Sequence, residues 1–265
     1  MALFPYRKKN SMKNPEKSWF GEKEVSPEEK TKGVIGVFDS VADQYDLMND
    51  LMSGGMHRLW KEKFIRMIHP RKTISGRPMD YLDVAGGTGD IAFRIRKKIG
   101  VGANITLCDL NENMLSVGQN RAIDKGWIND FEWVTGNAEA LPLPDNSIDV
   151  YTIAFGLRNV THIDTGLAEA YRVLRPGGKF FCLEFSHVQP TPLAKAYDLF
   201  SYNVIPRLGK MIANDEDSYQ YLVESIRKFP TQEQLLTRIQ SAGFCRTRYN
   251  NLSAGIVAIH QGTKR

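Results

Sequence analysis

Residues 79–99 constrain the fold of this chain more than any other stretch. They read Met79-Asp80-Tyr81-Leu82-Asp83-Val84-Ala85-Gly86-Gly87-Thr88-Gly89-Asp90, followed by a helix-forming run from Ile91 to Ile99. An apolar run ending in an acid, a glycine cluster and a helix start are the ground plan of a nucleotide pocket. Glycine lets backbone approach a ligand where a side chain would collide, so Gly87 is a candidate contact.

Two ligand classes fit that plan. Gly87-x-Gly89-x-x-Ala92 matches the dinucleotide pattern G-x-G-x-x-G/A, and Asp109 follows at the spacing expected of a ribose-binding acid. Asp83 favours the second class. A helix N-terminus in a dinucleotide site faces a pyrophosphate, and a nearby carboxylate repels that charge. S-adenosylmethionine (SAM) has no phosphate and carries an ammonium and a sulfonium. Asp83 can favour its cationic end directly or through water, and Asp109 can accept hydrogen bonds from both ribose hydroxyls. The competing reading makes Asp83 a cap of the turn that contacts only backbone amides.

The rest of the chain alternates strand and helix. Strand-like runs fall at Asp80–Val84, Ile105–Cys108, Phe131–Thr135, Val150–Phe155 and Lys179–Phe185, with helices expected over Asp90–Ile99, Asn113–Lys125 and Asp164–Leu174. Arg175-Pro176-Gly177-Gly178 is expected to break the last helix and start the next strand. Such alternation means an α/β fold with a mostly parallel sheet, helices on both faces and ligands outside the carboxyl ends of the strands. Upstream, Ser26-Pro27-Glu28-Glu29 reads as a capped helix start. Val34, Val37, Phe38 and Val41 continue it with helical periodicity, and a second helix is expected over 57–68. These two helices can lie over the ligand face as a lid. Downstream, Thr231–Ala242 reads as a helix ended by Gly243, and Phe244–Tyr249 and Gly255–His260 as a hairpin. The expected organisation is a basic flexible tail (1–25) and one domain (26–265). That domain divides into a lid (26–75), a core (79–190), a hydrophobic substrate- or membrane-facing insertion (191–230) and a C-terminal helix with hairpin (231–265).

Composition narrows the class. The 265 residues are 42% hydrophobic, enough for a sizeable core, and carry a net charge of +5. Cys108, Cys182 and Cys245 are widely separated and show neither zinc nor disulfide spacing, so no metal site is expected. No apolar run approaches the ~20 residues of a membrane span. The basic N-terminus suits either a mitochondrial presequence remnant or a tail touching anionic lipid. The run 193–213 is unusually apolar for an insertion and suits a crossover helix or a wall for a lipidic substrate.

Two loops at strand ends carry further candidates. Asn137 and the backbone of Ala138, after the third strand, can read an adenine edge, or they form a plain turn. Arg158 and Asn159 follow the fourth strand, where a transferable methyl would point. Arg158 can hold an oxyanion with its fork of donors but cannot act as a base at neutral pH. Asn159 can orient a phenol, carbonyl or water. The alternative pairs Arg158 with a surface acid and makes Asn159 a helix cap. Tyr45 stands where the first helix gives way to loop and can hydrogen-bond a substrate oxygen. His57 can serve as acid or base, though a lone His beside a helix start is more often structural.

With these residues in place, the chain resembles the ubiquinone/menaquinone-biosynthesis C-methyltransferases from about Phe20 to its C-terminus. The resemblance rests on Val37-Phe38-Asp39-Ser40-Val41-Ala42-x-x-Tyr45-Asp46-x-Met48-Asn49-Asp50, His57-Arg58-x-Trp60-Lys61 and Leu82 to Asp90. Ala154-Phe155-Gly156-Leu157-Arg158-Asn159-Val160, Tyr219-x-Tyr221-Leu222-x-Glu224-Ser225 and Gly255-Ile256-Val257-Ala258-Ile259-His260 complete it. It implies a class I SAM-dependent methyltransferase fold (Rossmann-like) with a seven-stranded sheet, and cofactor contacts at Thr88, Asp109, Asn137 and Ala138. The members that methylate a reduced polyprenyl methoxy-benzoquinol in coenzyme Q synthesis look most similar; demethylmenaquinol is the rival substrate. For methyl transfer to such a quinol, the positions and chemistry of these side chains lead to the expectation that Arg158 and Asn159 stabilise a phenolate, Tyr45 positions the ring and a water takes the proton. The implied partners are a polyprenyl quinol, a membrane surface, a second copy and other quinone-biosynthesis proteins, with no nucleic acid. The implied location is the matrix face of the mitochondrial inner membrane, or a bacterial cytoplasm. Two departures stand out: Ala154 replaces a Ser of many bacterial members, and Asn137 replaces an Asp of some relatives. An RNA methyltransferase would share the pocket and the basic charge, but the basic residues are scattered and no RNA-binding module is recognisable.

Overall fold

The computed structural model describes residues 18–41, 45–188 and 216–265; within these, the side chains of residues 41, 45, 46, 51, 52, 216 and 217 are not described. The tail 1–17 and the apolar run 193–213 lie outside the described residues.

Seven strands form the central sheet, in the order β10-β11-β9-β8-β5-β6-β7. They are β5 (Asp80–Val84), β6 (Asn104–Asp109), β7 (Glu132–Thr135), β8 (Ile148–Ala154), β9 (Leu174–Phe185), β10 (Cys245–Leu252) and β11 (Val257–Thr263). β5 pairs in parallel with β6 and β8, β6 with β7, and β8 with β9. β11 alone runs against both neighbours, β9 and β10. The chain fills one half of the sheet outward from β5, then returns to lay β8 on the other side of β5. That reversal is the switch point at which open α/β sheets bind ligands, outside the carboxyl ends of the strands.

Alternation along the strands divides the core in two. On β9, Phe181, Leu183 and Phe185 join one cluster while Phe180 and Cys182 join the other, as a two-residue repeat requires. The first face is covered by α3 (His57–Ile68), α4 (Asp90–Ile99) and α7 (Glu216–Lys228), through Phe64, Ile95 and Leu222. The second is covered by α6 (Ile163–Val173) and α8 (Gln232–Ser241), through Leu167 and Ile239. Thr231 starts α8 with a capping box closed by Gln234.

Expected and observed elements agree within a few residues, and the helices 57–68 and 90–99 coincide. Four expectations need correction. The tail is shorter than expected, because β1 (Ser18–Phe20) and β2 (Lys23–Val25) form a hairpin held to α7 by Glu22 N donating to Glu224 Oε2 at 2.9 Å. Of the two expected lid helices, α1 (Pro27–Val41) lines the ligand face, whereas α3 belongs to the core, with Phe64 edge-on to Phe181 at 6.3 Å. The expected insertion 191–230 ends in α7, whose Tyr219 and Leu222 are fully buried. Finally, β9 is assigned from Leu174: Ile148 pairs with Leu174 and Val150 with Lys179, so Arg175 to Gly178 bulge out of the ladder rather than precede it. A small hairpin, β3 (Thr73–Ile74) and β4 (Arg77–Pro78), and the short helix α2 (Tyr45–Ser53) lie outside the expected pattern. Cys108 and Cys182 are buried and unpaired, as packing residues should be.

Candidate active site

The glycine turn works as its sequence suggests. Gly87 and Gly89 take positive φ (49° and 88°), and so does the non-glycine Ala85 at 51°. Gly87 N donates to Asp109 Oδ2 at 2.8 Å, and Asn111 N donates to Asp109 Oδ1 at 2.9 Å. A Cβ on Gly87 would meet Met114 Cε at 3.0 Å, so the turn packs directly against α5 (Glu112–Asp124). Each carboxylate oxygen of Asp109 keeps a free lone pair for a ligand hydroxyl. Burial pushes this carboxyl up from its ordinary value, opposed by the Asn111 and Gly87 amides.

A cleft of about 800 Å³, solvent mouth included, opens beside Asp109, within the range of small-molecule sites. Thr31, Val34, Ile35 and Phe38 of α1 form its roof; Val84, Ala85, Gly87 and Met114 its floor; Asn137, Ala138, Phe155 and Asn159 its far wall. The roof is tied at both ends. Lys30 Nζ donates to Val160 O at 3.0 Å, and Asn111 Nδ2 donates to Asp39 Oδ1 at 2.9 Å. Among the described residues the walls hold two acids, Asp109 and Glu139, and no Lys or Arg. A phosphate would meet no cation among these residues; a sulfonium or ammonium would meet acids, neutral amides and hydroxyls, and apolar surface.

Several expected residues take unexpected places. Asp83 is buried beneath the turn and does not line the cleft. Its Oδ1 accepts from Thr152 Oγ1 at 2.7 Å, while Oδ2 has no partner and lies 3.3 Å from where a Cβ on Gly86 would stand. An unpartnered buried carboxylate oxygen behind a glycine turn is what a cationic ligand, reached through water, would satisfy. Thr88 is buried and also absent from the walls, so a contact through its side chain is not how the turn presents itself. Asn137 combines both readings: it lines the cleft, and its Oδ1 accepts from Glu139 N at 2.9 Å in a local turn. Glu139 then accepts from Thr161 N, His162 N and His162 Nδ1, at 2.9, 3.1 and 2.7 Å, fastening this loop to the one after β8.

Arg158 is the main correction. It does not reach the cleft. Its Nη1 donates to Glu184 Oε1 at 2.8 Å and to Phe155 O at 2.6 Å, and its backbone N donates to Glu184 Oε2 at 3.2 Å. A partner 26 residues away, buried on the neighbouring strand, has no local signal in the sequence. The expected surface acid is therefore a buried one. Asn159, by contrast, faces the cleft as expected. Tyr45 opens α2, but its side chain lies outside the described residues. His57 is buried against Asp50 Oδ1 at 2.8 Å, consistent with a structural role.

Asp83 makes the free protein's response to pH calculable. Burial drives its carboxyl up to about 7, opposed by the Thr152 hydrogen bond. The folded chain thus keeps a proton between 3.8 and about 7 that the unfolded chain has released, and this group's contribution to stability falls as pH rises across that window. A cationic ligand favours the ionised form. SAM affinity should therefore rise with pH, by at most about tenfold per pH unit, until about pH 7 and then level off. Calorimetric titration of Asp83→Asn should show a shallower slope, with the remainder belonging to Asp109, whose carboxyl is also raised by burial; an unchanged slope would exclude Asp83 as a source.

Comparison with known proteins agrees with this geometry. The model of the ubiE/COQ5 methyltransferase family matches residues 24–264. The ubiquinone/menaquinone biosynthesis C-methyltransferase UbiE of Brucella abortus is 56% identical over 246 residues, covering 92% of this chain and 90% of that protein. The protein of the same name from Rhodopseudomonas palustris is 54% identical over 243 residues, covering 92% and 95%. Both relatives are bacterial, so they lend no support to a mitochondrial location. Among solved structures, a SAM-dependent methyltransferase from Thermotoga maritima aligns with a TM-score of 0.60 at 19% identity, covering 87% of this chain and 99% of that one. The [4+2]-cyclase SpnF aligns at 0.62 with 17% identity, covering 88% and 96%. At such identities these matches show the class I SAM methyltransferase fold alone, and a cyclase on the same frame is a reminder that fold does not set chemistry. The family match, however, runs through every described element that builds the cleft: this chain belongs to the ubiE/COQ5 methyltransferase family, and is a SAM-dependent C-methyltransferase.

Proposed function

We propose that this protein methylates a ring carbon of a reduced polyprenyl quinol in ubiquinone biosynthesis, the methoxy-benzoquinol being the preferred acceptor and demethylmenaquinol the alternative. The observation that carries the reading is the cleft itself: acidic and apolar, without a wall cation among the described residues, and continuous with Asn159. Bound SAM would supply an electrophilic methyl on a positively charged sulfur. Asp109 would hold the ribose hydroxyls, Gly87 would admit the backbone-hugging part of the cofactor, and Asn137 with Ala138 would flank the base. Phe38 and Phe155 line the cleft and would help exclude water from the reacting carbon.

A quinone ring is electron-poor, so the acceptor must be the quinol. As its hydroxyl gives its proton to a bound water, to be regained by the oxygen once the ring carbon has lost its own, charge spreads to the ortho and para carbons. One ring carbon forms a bond to the methyl while the methyl–sulfur bond breaks, its electron pair going to sulfur. The carbon's own proton then leaves to water and the ring regains its aromaticity. The chain's part is to align the carbon about 3–3.5 Å from the methyl and to steady the oxygen that gains charge. Asn159, which lines the cleft, would perform the second task, and Tyr45 would position the ring. Arg158 acts through the loop it anchors. Glu184 is a poor base here, since three donors occupy its oxygens: Arg158 Nη1 and N, and Phe185 N at 2.9 Å.

The substrate's long tail implies contact with a membrane, with the apolar run 193–213 as the candidate surface. No described helix is long and apolar enough to cross one. A second copy and other quinone-synthesis proteins are the partners proposed with it. The setting is a membrane beside the bacterial cytoplasm, or the matrix face of the mitochondrial inner membrane.

Mass spectrometry of products from methyl-labelled SAM tests the reading. Short-chain methoxy-benzoquinol should gain one labelled carbon-bound methyl, faster than demethylmenaquinol does. Co-sedimentation with anionic vesicles in the same preparation should weaken when residues 193–213 carry polar substitutions. Label in neither quinol would remove the proposed substrate class, and unchanged sedimentation would remove the membrane surface.

A further inference from the structure

Asn159 is held from outside the cleft. Its Oδ1 accepts a hydrogen bond from the Tyr221 hydroxyl at 3.0 Å, and its Nδ2 makes no hydrogen bond among the described residues. Tyr221 arrives from α7, 62 residues further on, and lines the neighbouring cavity together with Arg158 rather than the cofactor cleft. The phenol is buried, and its ring stacks on Phe20 of β1 with centroids 4.3 Å apart and planes 18° from parallel. A ring clamped in this way has little freedom to swing its hydroxyl elsewhere. Burial raises the phenol above its ordinary value; the Arg158 guanidinium opposes this and Glu184 adds to it. Tyr221 therefore remains protonated, and a donor, throughout the neutral range.

The consequence follows from the shape of a carboxamide. Its oxygen and its two N–H donors leave opposite corners of one plane. With the oxygen taken on the Tyr221 side, the donors turn to the other side, where Asn159 walls the cleft. We infer that Tyr221 is a positioning residue: by donating to the Asn159 carbonyl oxygen it aims both Asn159 N–H donors at the acceptor-ring oxygen that gains charge during methyl transfer.

This inference rests on the quinol reading and adds to it a residue that touches neither substrate nor cofactor. It also explains why the β1–β2 hairpin belongs to the domain. Phe20 supports Tyr221, Tyr221 fixes Asn159, and the Arg158–Glu184 pair holds the loop between them.

A double-mutant cycle on the full-length protein tests it. Tyr221→Phe keeps the ring and its stack on Phe20 but removes the donor. It should lower kcat for the quinol at least about tenfold, short of the roughly hundredfold or more expected for losing a preorganised donor outright. SAM affinity and the thermal midpoint should stay close to wild type. Asn159→Ala should lower kcat further. In the Asn159→Ala background, adding Tyr221→Phe should cost less than twofold, because nothing remains to be aimed. Independent, multiplying losses would overturn the inference, as would full activity in Tyr221→Phe. If wild type yields no labelled quinol, the functional reading fails and takes this inference with it; if wild type and Tyr221→Phe yield product equally, only the role of Tyr221 fails.

Discussion

Asp109→Ala should weaken SAM binding at least about a hundredfold, roughly 3 kcal/mol at 1.4 kcal/mol per decade. Two charge-assisted bonds to ribose hydroxyls, each worth roughly 1.5–3 kcal/mol, would be lost together. The turn would loosen as well, since Gly87 N and Asn111 N both donate to this carboxylate. Asp109→Asn separates the two effects. The amide can still accept from one backbone N–H, so the turn keeps part of its support. Removing a carboxyl that burial penalises offsets part of the cost of the backbone N–H left unpaired, so the free protein should lose less stability than the Ala variant. The expected pattern is an Asn variant more stable than the Ala variant, with greatly weakened SAM binding, read by calorimetry and urea unfolding. Binding within threefold of wild type in the Ala variant would exclude Asp109 from the ribose site.

Glu184→Ala should cost roughly 3–5 kcal/mol of stability, the range seen when one partner of a buried ion pair is removed. Arg158 and Glu184 have side-chain exposures of 3% and 2%, so the guanidinium left behind would be neither solvated nor paired. Replacing both, with Arg158→Leu and Glu184→Leu, should recover more than half of that loss, because apolar side chains of similar volume fill the site without the desolvation cost. Turnover should not recover with it. The loop that presents Asn159 passes through a left-handed residue, Phe155 at φ 56°, and would lose both the Phe155 O and the Glu184 contacts that hold it. Urea unfolding beside a turnover assay would show stability and activity parting company. A loss below about 1 kcal/mol for Glu184→Ala would mean that water reaches the pair.

These two expectations differ in how far the sequence could have led to them. Asp109 was legible: it ends an apolar run, at a fixed distance from a glycine turn, and both features are local. The same holds for α3 and α4, whose apolar residues and bounding positions lie within a dozen positions, and for the apolar run of β9. Asn159 was legible as a polar residue at a strand end. Arg158 was legible as important but not in its role. Its partner lies on β9, next to β8 only because the sheet order brings the two strands together. Tyr221 gave no signal beyond family likeness, since its helix lies in a stretch whose surroundings read as insertion.

Local patterning therefore determined the elements, the glycine turn and the acidic, phosphate-free character of the pocket, because each depends on residues a few positions apart. Tertiary structure decided which acid lines the cleft, which lies beneath it, and which side chain aims Asn159. Those outcomes depend on partners 26 to 69 residues apart, from Arg158 and Glu184 through Tyr221 and Asn159 to Thr152 and Asp83. Sheet order sets such distances, and no window along the chain contains them.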